Sequence, residues 1–75
     1  MNWDTVKGNW KQFKGVIKEQ WGDITDDHLD QIDGRREQLA GEIQETYGLS
    51  KEAAEEQLRE FEDRNSDYGT KKPSY

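Results

Sequence analysis

Apolar residues recur along this chain at helical spacing. Over residues 3–21, Trp3, Val6, Trp10, Phe13, Ile17 and Trp21 return every three or four positions. At about 100° per residue they share one stripe, which predicts a single helix over 3–21. Asn2 or Asp4 is placed to cap its start. Gly22 follows the last apolar residue and is expected in the left-handed conformation that ends a helix. Thr25 opens a second helix, with Asp26 and Asp27 in its first turn, where free N–H groups and the helix dipole favour them. Leu29 and Ile32 are its apolar contacts. The Asp33-Gly34 turn signal stops it near residue 33, with one continuous helix over 26–47 as the alternative. Residues 35–47 form a third helix, with Leu39, Ile43 and Tyr47 on one face and Gly48 as its stop. Ser50 caps a fourth helix, which carries Ala53, Ala54, Leu58 and Phe61 and frays near Arg64. Residues 65–75, NSDYGTKKPSY, have no period and hold the only proline. They are expected to form a disordered tail.

The pattern also repeats. Residues 8–22, GNWKQFKGVIKEQWG, carry Gly at 8, 15 and 22; residues 34–48, GRREQLAGEIQETYG, carry Gly at 34, 41 and 48. Gln12, Ile17 and Glu19 recur as Gln38, Ile43 and Glu45, while Phe13 becomes Leu39 and Trp21 becomes Tyr47. Trp3, Asp4 and Val6 match Leu29, Asp30 and Ile32 at the same offset. Two copies are too few for a solenoid. The expected fold is therefore all-α: a small bundle of about four helices, in which two similar helical units (hairpins) pack together. The domain spans 1–64 and the tail 65–75. The predicted core is Trp10, Phe13, Ile17, Trp21, Leu39, Ile43, Tyr47, Leu58 and Phe61. Gly22 and Gly48 are read as helix stops. Gly15 and Gly41 are read as sites of close helix approach, because a glycine inside a helix costs about 1 kcal/mol relative to alanine and needs a compensating use.

Composition narrows the picture. Hydrophobic residues are 29% and charged residues 37% of a 75-residue chain. A core this lean must rest on the aromatics, three Trp, three Tyr and two Phe, each of which removes much area from water. The absence of cysteine removes disulfides, thiolate catalysis and cysteine-ligated zinc, and fits a reducing compartment. No apolar run approaches the roughly 18 residues of a membrane span, and the N-terminus lacks a signal-peptide apolar region. A soluble, cytoplasmic protein is expected. The net charge is −6, which opposes a general nucleic-acid coat. Charge is uneven, however: residues 1–21 are basic, with Lys7, Lys11, Lys14 and Lys18 against Asp4 and Glu19, while 22–64 are strongly acidic.

The strings GNWKQFKGVIKEQWGDITDDHLDQIDG and REQLAGEIQETYG resemble the CsbD-like family of small bacterial general-stress proteins. The resemblance covers roughly residues 4–64. Its most specific parts are NWKQFKG, KEQWG with the T-D-D that follows, and the later LxGxIQExYG with an acidic helix downstream. It implies a compact all-α domain of about four helices, abundant under general stress. Some members look like two helical hairpins packed nearly orthogonally. It implies no catalytic residue, cofactor or substrate. This chain's tail is longer than that of the shortest members.

Few residues suggest site chemistry. The glycines are not clustered in a strand–loop–helix setting, so a phosphate loop is not expected. Asp23, Asp26, Asp27, Asp30 and Asp33 lack the spacing of a calcium loop. Asp26, Asp30 and Asp33 share a helical face and would be the ligands of any metal site, but a solvated face is the expectation. His28, the only histidine, cannot alone build a zinc site or a triad. No enzyme, cofactor, metal or small-molecule substrate is expected. The one interaction surface the sequence offers is the stripe Lys7, Lys11, Lys14 and Lys18 beside the aromatics, which could meet an acidic protein or an anionic membrane surface. The plainer expectation is that these lysines complement the acidic helices. The reading is a small, non-enzymatic stress-response protein, with a binding module using the basic first helix as the alternative.

Overall fold

The computed structural model describes residues 1–65. The expected tail lies almost wholly outside them. The fold is a small all-α bundle of five helices: α1 Trp3–Gly8, α2 Trp10–Gln20, α3 Asp26–Ile32, α4 Arg36–Tyr47 and α5 Lys51–Arg64. The single helix expected over 3–21 is thus two. Gly8 ends α1, and Asn9 has φ −117° and ψ 33°, outside the helical range. The Asn9 N–H donates to both Thr5 O and Val6 O at 3.1 Å, and its side-chain amide donates to Thr5 O at 3.2 Å. A glycine followed by an asparagine that occupies the carbonyls of the last turn is enough to break a helix whose apolar stripe runs straight through.

The second unit has the same order of parts. Helix α3 stops where the turn signal put it: Asp33 has φ 52° and ψ 41°, and Gly34 has φ 79°. Residues 26–47 are therefore two helices and not one. The short helix, break and long helix of residues 3–20 recur over 26–47. Lys7–Gly8 and Asp33–Gly34, equivalent at the repeat offset, lie against each other: a Cβ on Gly34 would stand 2.6 Å from Lys7 Cα. Caps follow the sequence reading. Asn2 accepts from the Asp4 N–H at 2.9 Å, Thr25 from His28 N–H at 3.3 Å, and Ser50 from Ala53 N–H at 3.1 Å. Gly48 ends α4 with φ 65°.

The core is continuous. Trp10, Phe13, Ile17, Trp21, Leu39, Ile43, Leu58 and Phe61 are buried in it, with Val6, Leu29, Ile32, Ala40, Ala54 and Ile24. Ile24 was not among the expected core residues, since it sits between two predicted helices and belongs to neither stripe. Tyr47 is only half-buried; it packs on the core, and its hydroxyl accepts from the Asp23 N–H at 3.1 Å. Among the described residues, Phe13 meets the rings of Trp3, Trp10 and Phe61 at centroid distances of 6.1, 6.2 and 5.8 Å. The Trp10 indole donates to Leu29 O at 2.8 Å, which satisfies its N–H and ties the two units together.

Two glycine expectations are corrected. Gly22 does not adopt a left-handed conformation; Trp21 is the α2 cap, with φ −127° and ψ 77°. Gly15 and Gly41 allow no close approach, for nothing lies within 4 Å of where their Cβ would be. Both face open space because each lies away from its own buried stripe. Gly15→Ala and Gly41→Ala should therefore each raise stability by about 0.5–1 kcal/mol, measured by urea unfolding. A loss of stability in either would mean that the open side is occupied in solution.

Candidate functional site

The lysine stripe was the sequence's candidate surface, and the fold divides it. Helix α3 runs beside α2, so its acids meet the lysines. Lys14 Nζ pairs with Asp30, and Lys18 Nζ lies 3.4 Å from Asp26 and donates to Ile24 O at 3.1 Å. The hydrogen bond that Lys14 donates to Asp30 holds the pKa of its ammonium above the usual lysine value, against a weaker opposing effect of burial, and the charges of Asp30 and Asp26 add to it. Lys7 uses its backbone and stem to cover Gly34. Lys11 is exposed and has no ion pair among the described residues. The four lysines are therefore not one free basic surface.

Two of the three acidic candidates are taken up in the same contacts, and the third lies in a turn. Asp26 and Asp30 answer Lys18 and Lys14, and Asp33 caps α3 in a left-handed turn. Among the described residues no group of three or more His, Asp or Glu is placed to hold a metal ion. His28 Nδ1 lies 2.5 Å from Glu42 Oε2 and so links α3 to α4; Thr46 Oγ1 donates to the same oxygen at 3.3 Å.

A polar cluster that sequence reasoning missed joins three helices. Arg36 of α4 donates through Nε to Glu62 of α5 at 2.7 Å and pairs through Nη1 with Glu55 at 2.9 Å. Glu62 also accepts the Trp3 indole N–H of α1 at 2.8 Å. Burial pushes the Glu62 carboxyl up, but hydrogen bonds from Arg36 and Trp3, with the positive charges of Arg36 and the N-terminus, outweigh it and hold the group below its ordinary value. Burial likewise works against the Arg36 charge, and the bonds to Glu62 and Glu55 outweigh it. A signal for this cluster was present: Arg36 occupies the repeat position of Trp10, a core-facing site, and a charge there requires partners.

Glu62 is charged in the fold at pH values where it would begin to protonate in the unfolded chain. Its contribution to stability is therefore complete above the ordinary carboxylate range and is lost as pH falls through its lowered value. Glu62→Gln should be less stable than the parent at neutral pH, with the gap closing in strong acid. Urea unfolding at the two pH values checks this; a gap that widens on acidification would contradict it.

Two open grooves flank the bundle. One, about 510 Å³, is lined by Trp21, Tyr47, Leu49, Gln57 and Arg64 among others. Its polar groups are largely paired with each other: the Trp21 indole donates to Gln57 Oε1 and Arg64 Nη2 to Gln20 Oε1, both at 2.8 Å. The other, about 700 Å³, runs over Gly41 between α4 and α5 and is rimmed by Glu37, Glu45, Glu55, Arg36 and Lys51. It is broad and acidic, and converges on no reactive group.

A family model described as CsbD-like matches residues 4–56, which covers α1 from its second residue, α2 to α4, and the start of α5. This chain belongs to the CsbD-like family. The family is one of general stress response. The match takes in both helix–break–helix units, so the two breaks and the contact between them lie inside the CsbD-like region. Of the three-helix polar cluster, Arg36 and Glu55 lie within it and Glu62 and Trp3 outside it. No curated protein and no solved structure matches the chain. No helix among the described residues is long and apolar enough to cross a membrane.

Proposed function

We propose that this protein serves the general stress response of a bacterial cytoplasm as a folded, non-enzymatic protein. The CsbD-like match over residues 4–56 carries the reading. The use of its charged side chains supports it. His28, Glu42, Asp26, Asp30, Lys14, Lys18, Arg36, Glu55 and Glu62 are all engaged with one another, so the groups that acid–base chemistry would draw on are holding helices together. A complementation experiment tests it. A strain lacking the gene should lose survival under stress, and the wild-type chain should restore it. Single substitutions of His28, Glu42 or Glu55 that keep the protein folded should restore it too, because no one side chain carries a reaction. Unimpaired survival of the deletion strain would refute the stress role. Complete loss of rescue from one well-folded substitution would refute the non-enzymatic role.

The alternative of a basic first helix docking on an acidic partner or an anionic membrane is disfavoured by the pairing of Lys14 and Lys18 with α3. Co-sedimentation with anionic vesicles at low salt should recover little protein, and Lys11→Glu should not alter it. Strong, salt-sensitive binding lost in Lys11→Glu would reverse that preference.

A further inference from the structure

We infer that the Asp33–Gly34 junction is a latent isoaspartate site, which the fold keeps shut until α1 lifts from the α3–α4 turn. Of the seven glycines, Gly34 alone follows an Asp or Asn. With no Cβ beside it, its backbone nitrogen is the least hindered nucleophile an aspartate carboxyl can meet. The Asp33 side chain is exposed and has no hydrogen bond or ion pair among the described residues. The Gly34 N–H has none there either, whereas the N–H groups of Asp33 and Arg35 donate to Leu29 O and Ile32 O at 3.1 and 3.0 Å. Both reacting groups are unengaged.

Torsion keeps them apart. Ring closure needs the Gly34 nitrogen to eclipse Cβ of Asp33. At the observed ψ of 41° the carbonyl oxygen lies toward Cβ and the nitrogen lies opposite. The peptide between the two residues must turn over before they can react. Gly34 is buried under α1, with Lys7 Cα 2.6 Å from the place of a Cβ, so a turn of that peptide works against the packed α1 backbone. Arg35 adds a second tie, donating from its guanidinium to Gln31 O at 3.2 Å and Ile32 O at 3.3 Å.

Once the turn opens, the Gly34 nitrogen attacks Cγ of the protonated Asp33 carboxyl. The N–Cγ bond forms, the hydroxyl leaves as water with the amide proton, and a five-membered imide results. Water then adds back. Opening at Cγ restores aspartate. Opening at the main-chain carbonyl leaves the chain running through the former side chain and frees the α-carboxylate. Water lost equals water regained, and nothing is oxidised or reduced. The product has one extra methylene in its main chain, so the turn that seats Gly34 beneath Lys7 no longer closes. Those openings that pass through the imide and reopen at the main-chain carbonyl are thereby recorded covalently.

The test holds the full chain at physiological temperature in native buffer and, in parallel, in guanidinium chloride. The isoaspartate fraction at Asp33 is then read from digests by chromatography with electron-based fragmentation. It should accumulate at least about tenfold more slowly in native buffer, because only the opened population reacts. Val6→Ala loosens buried α1 while leaving Lys7, Asp33 and Gly34 unsubstituted, and should speed accumulation in native buffer. Equal rates with and without denaturant would overturn the guarding role of the fold. No isoaspartate at Asp33 in denaturant would overturn the site, and an unchanged rate in a Val6→Ala protein with lowered melting temperature would overturn the role of α1.

Discussion

Phe13→Ala should cost about 3–5 kcal/mol and leave most of the population unfolded at room temperature. The ring is 1% exposed and meets Trp3, Trp10 and Phe61. Its loss removes contacts from α1, α2 and α5 together, and no neighbouring element can collapse into the gap without giving up its own contacts. A domain of this size draws only about 3–5 kcal/mol from its core, so this one truncation equals the whole margin. Far-ultraviolet circular dichroism and urea unfolding check it. A variant that melts within a few degrees of the parent would show that the ring lies outside the cooperative core.

Gly34→Ala should come next, at about 2–5 kcal/mol, and Gly48→Ala provides its control. Both glycines have positive φ, 79° and 65°, so alanine at either meets a backbone cost of about 1–2 kcal/mol. Only at Gly34 would the new methyl meet anything: Lys7 Cα at 2.6 Å and Lys7 Cβ at 2.8 Å. The Cα belongs to the α1 backbone and cannot swing aside as a side-chain tip would, so overpacking adds about 1–3 kcal/mol. Gly48 has nothing within 4 Å and should show the backbone cost alone. Equal losses at the two sites, measured by urea unfolding, would mean that α1 shifts freely away from the turn.

Legibility in the sequence was uneven, and its limits have physical causes. Helix faces were readable because period alone decides which residues share a side. Caps were readable because Asn2, Thr25 and Ser50 act on N–H groups two or three residues away, within the same strand of sequence. The break at Gly8–Asn9 was half-visible: the repeat aligns Gly8 with Gly34, and the stop recognised at Asp33-Gly34 has its counterpart there. The unbroken apolar stripe through residues 3–21 hid it, since a stripe records which side is buried and not whether the backbone bonds are continuous.

The candidate surface was less legible. Four lysines at helical spacing look like a basic face on an isolated helix. Whether they remain one depends on which helix lies alongside, and α3 brings Asp26 and Asp30 to Lys18 and Lys14. The Arg36 cluster required α1, α4 and α5 to converge, which no local pattern encodes. The amino-acid sequence by itself determined that the chain is all-α, where its first, third, fourth and fifth helices begin, which faces go inside and which family it belongs to. Those properties depend on side-chain period, caps and residue strings that act over a few positions. The tertiary structure alone decided that Gly34 and not Gly15 or Gly41 is the point of close approach, that Ile24 is buried, and that Lys14 and Lys18 of α2 pair with Asp30 and Asp26 of α3. Each of these is a contact between segments distant in sequence or held by a turn, where the packing geometry sets the distance.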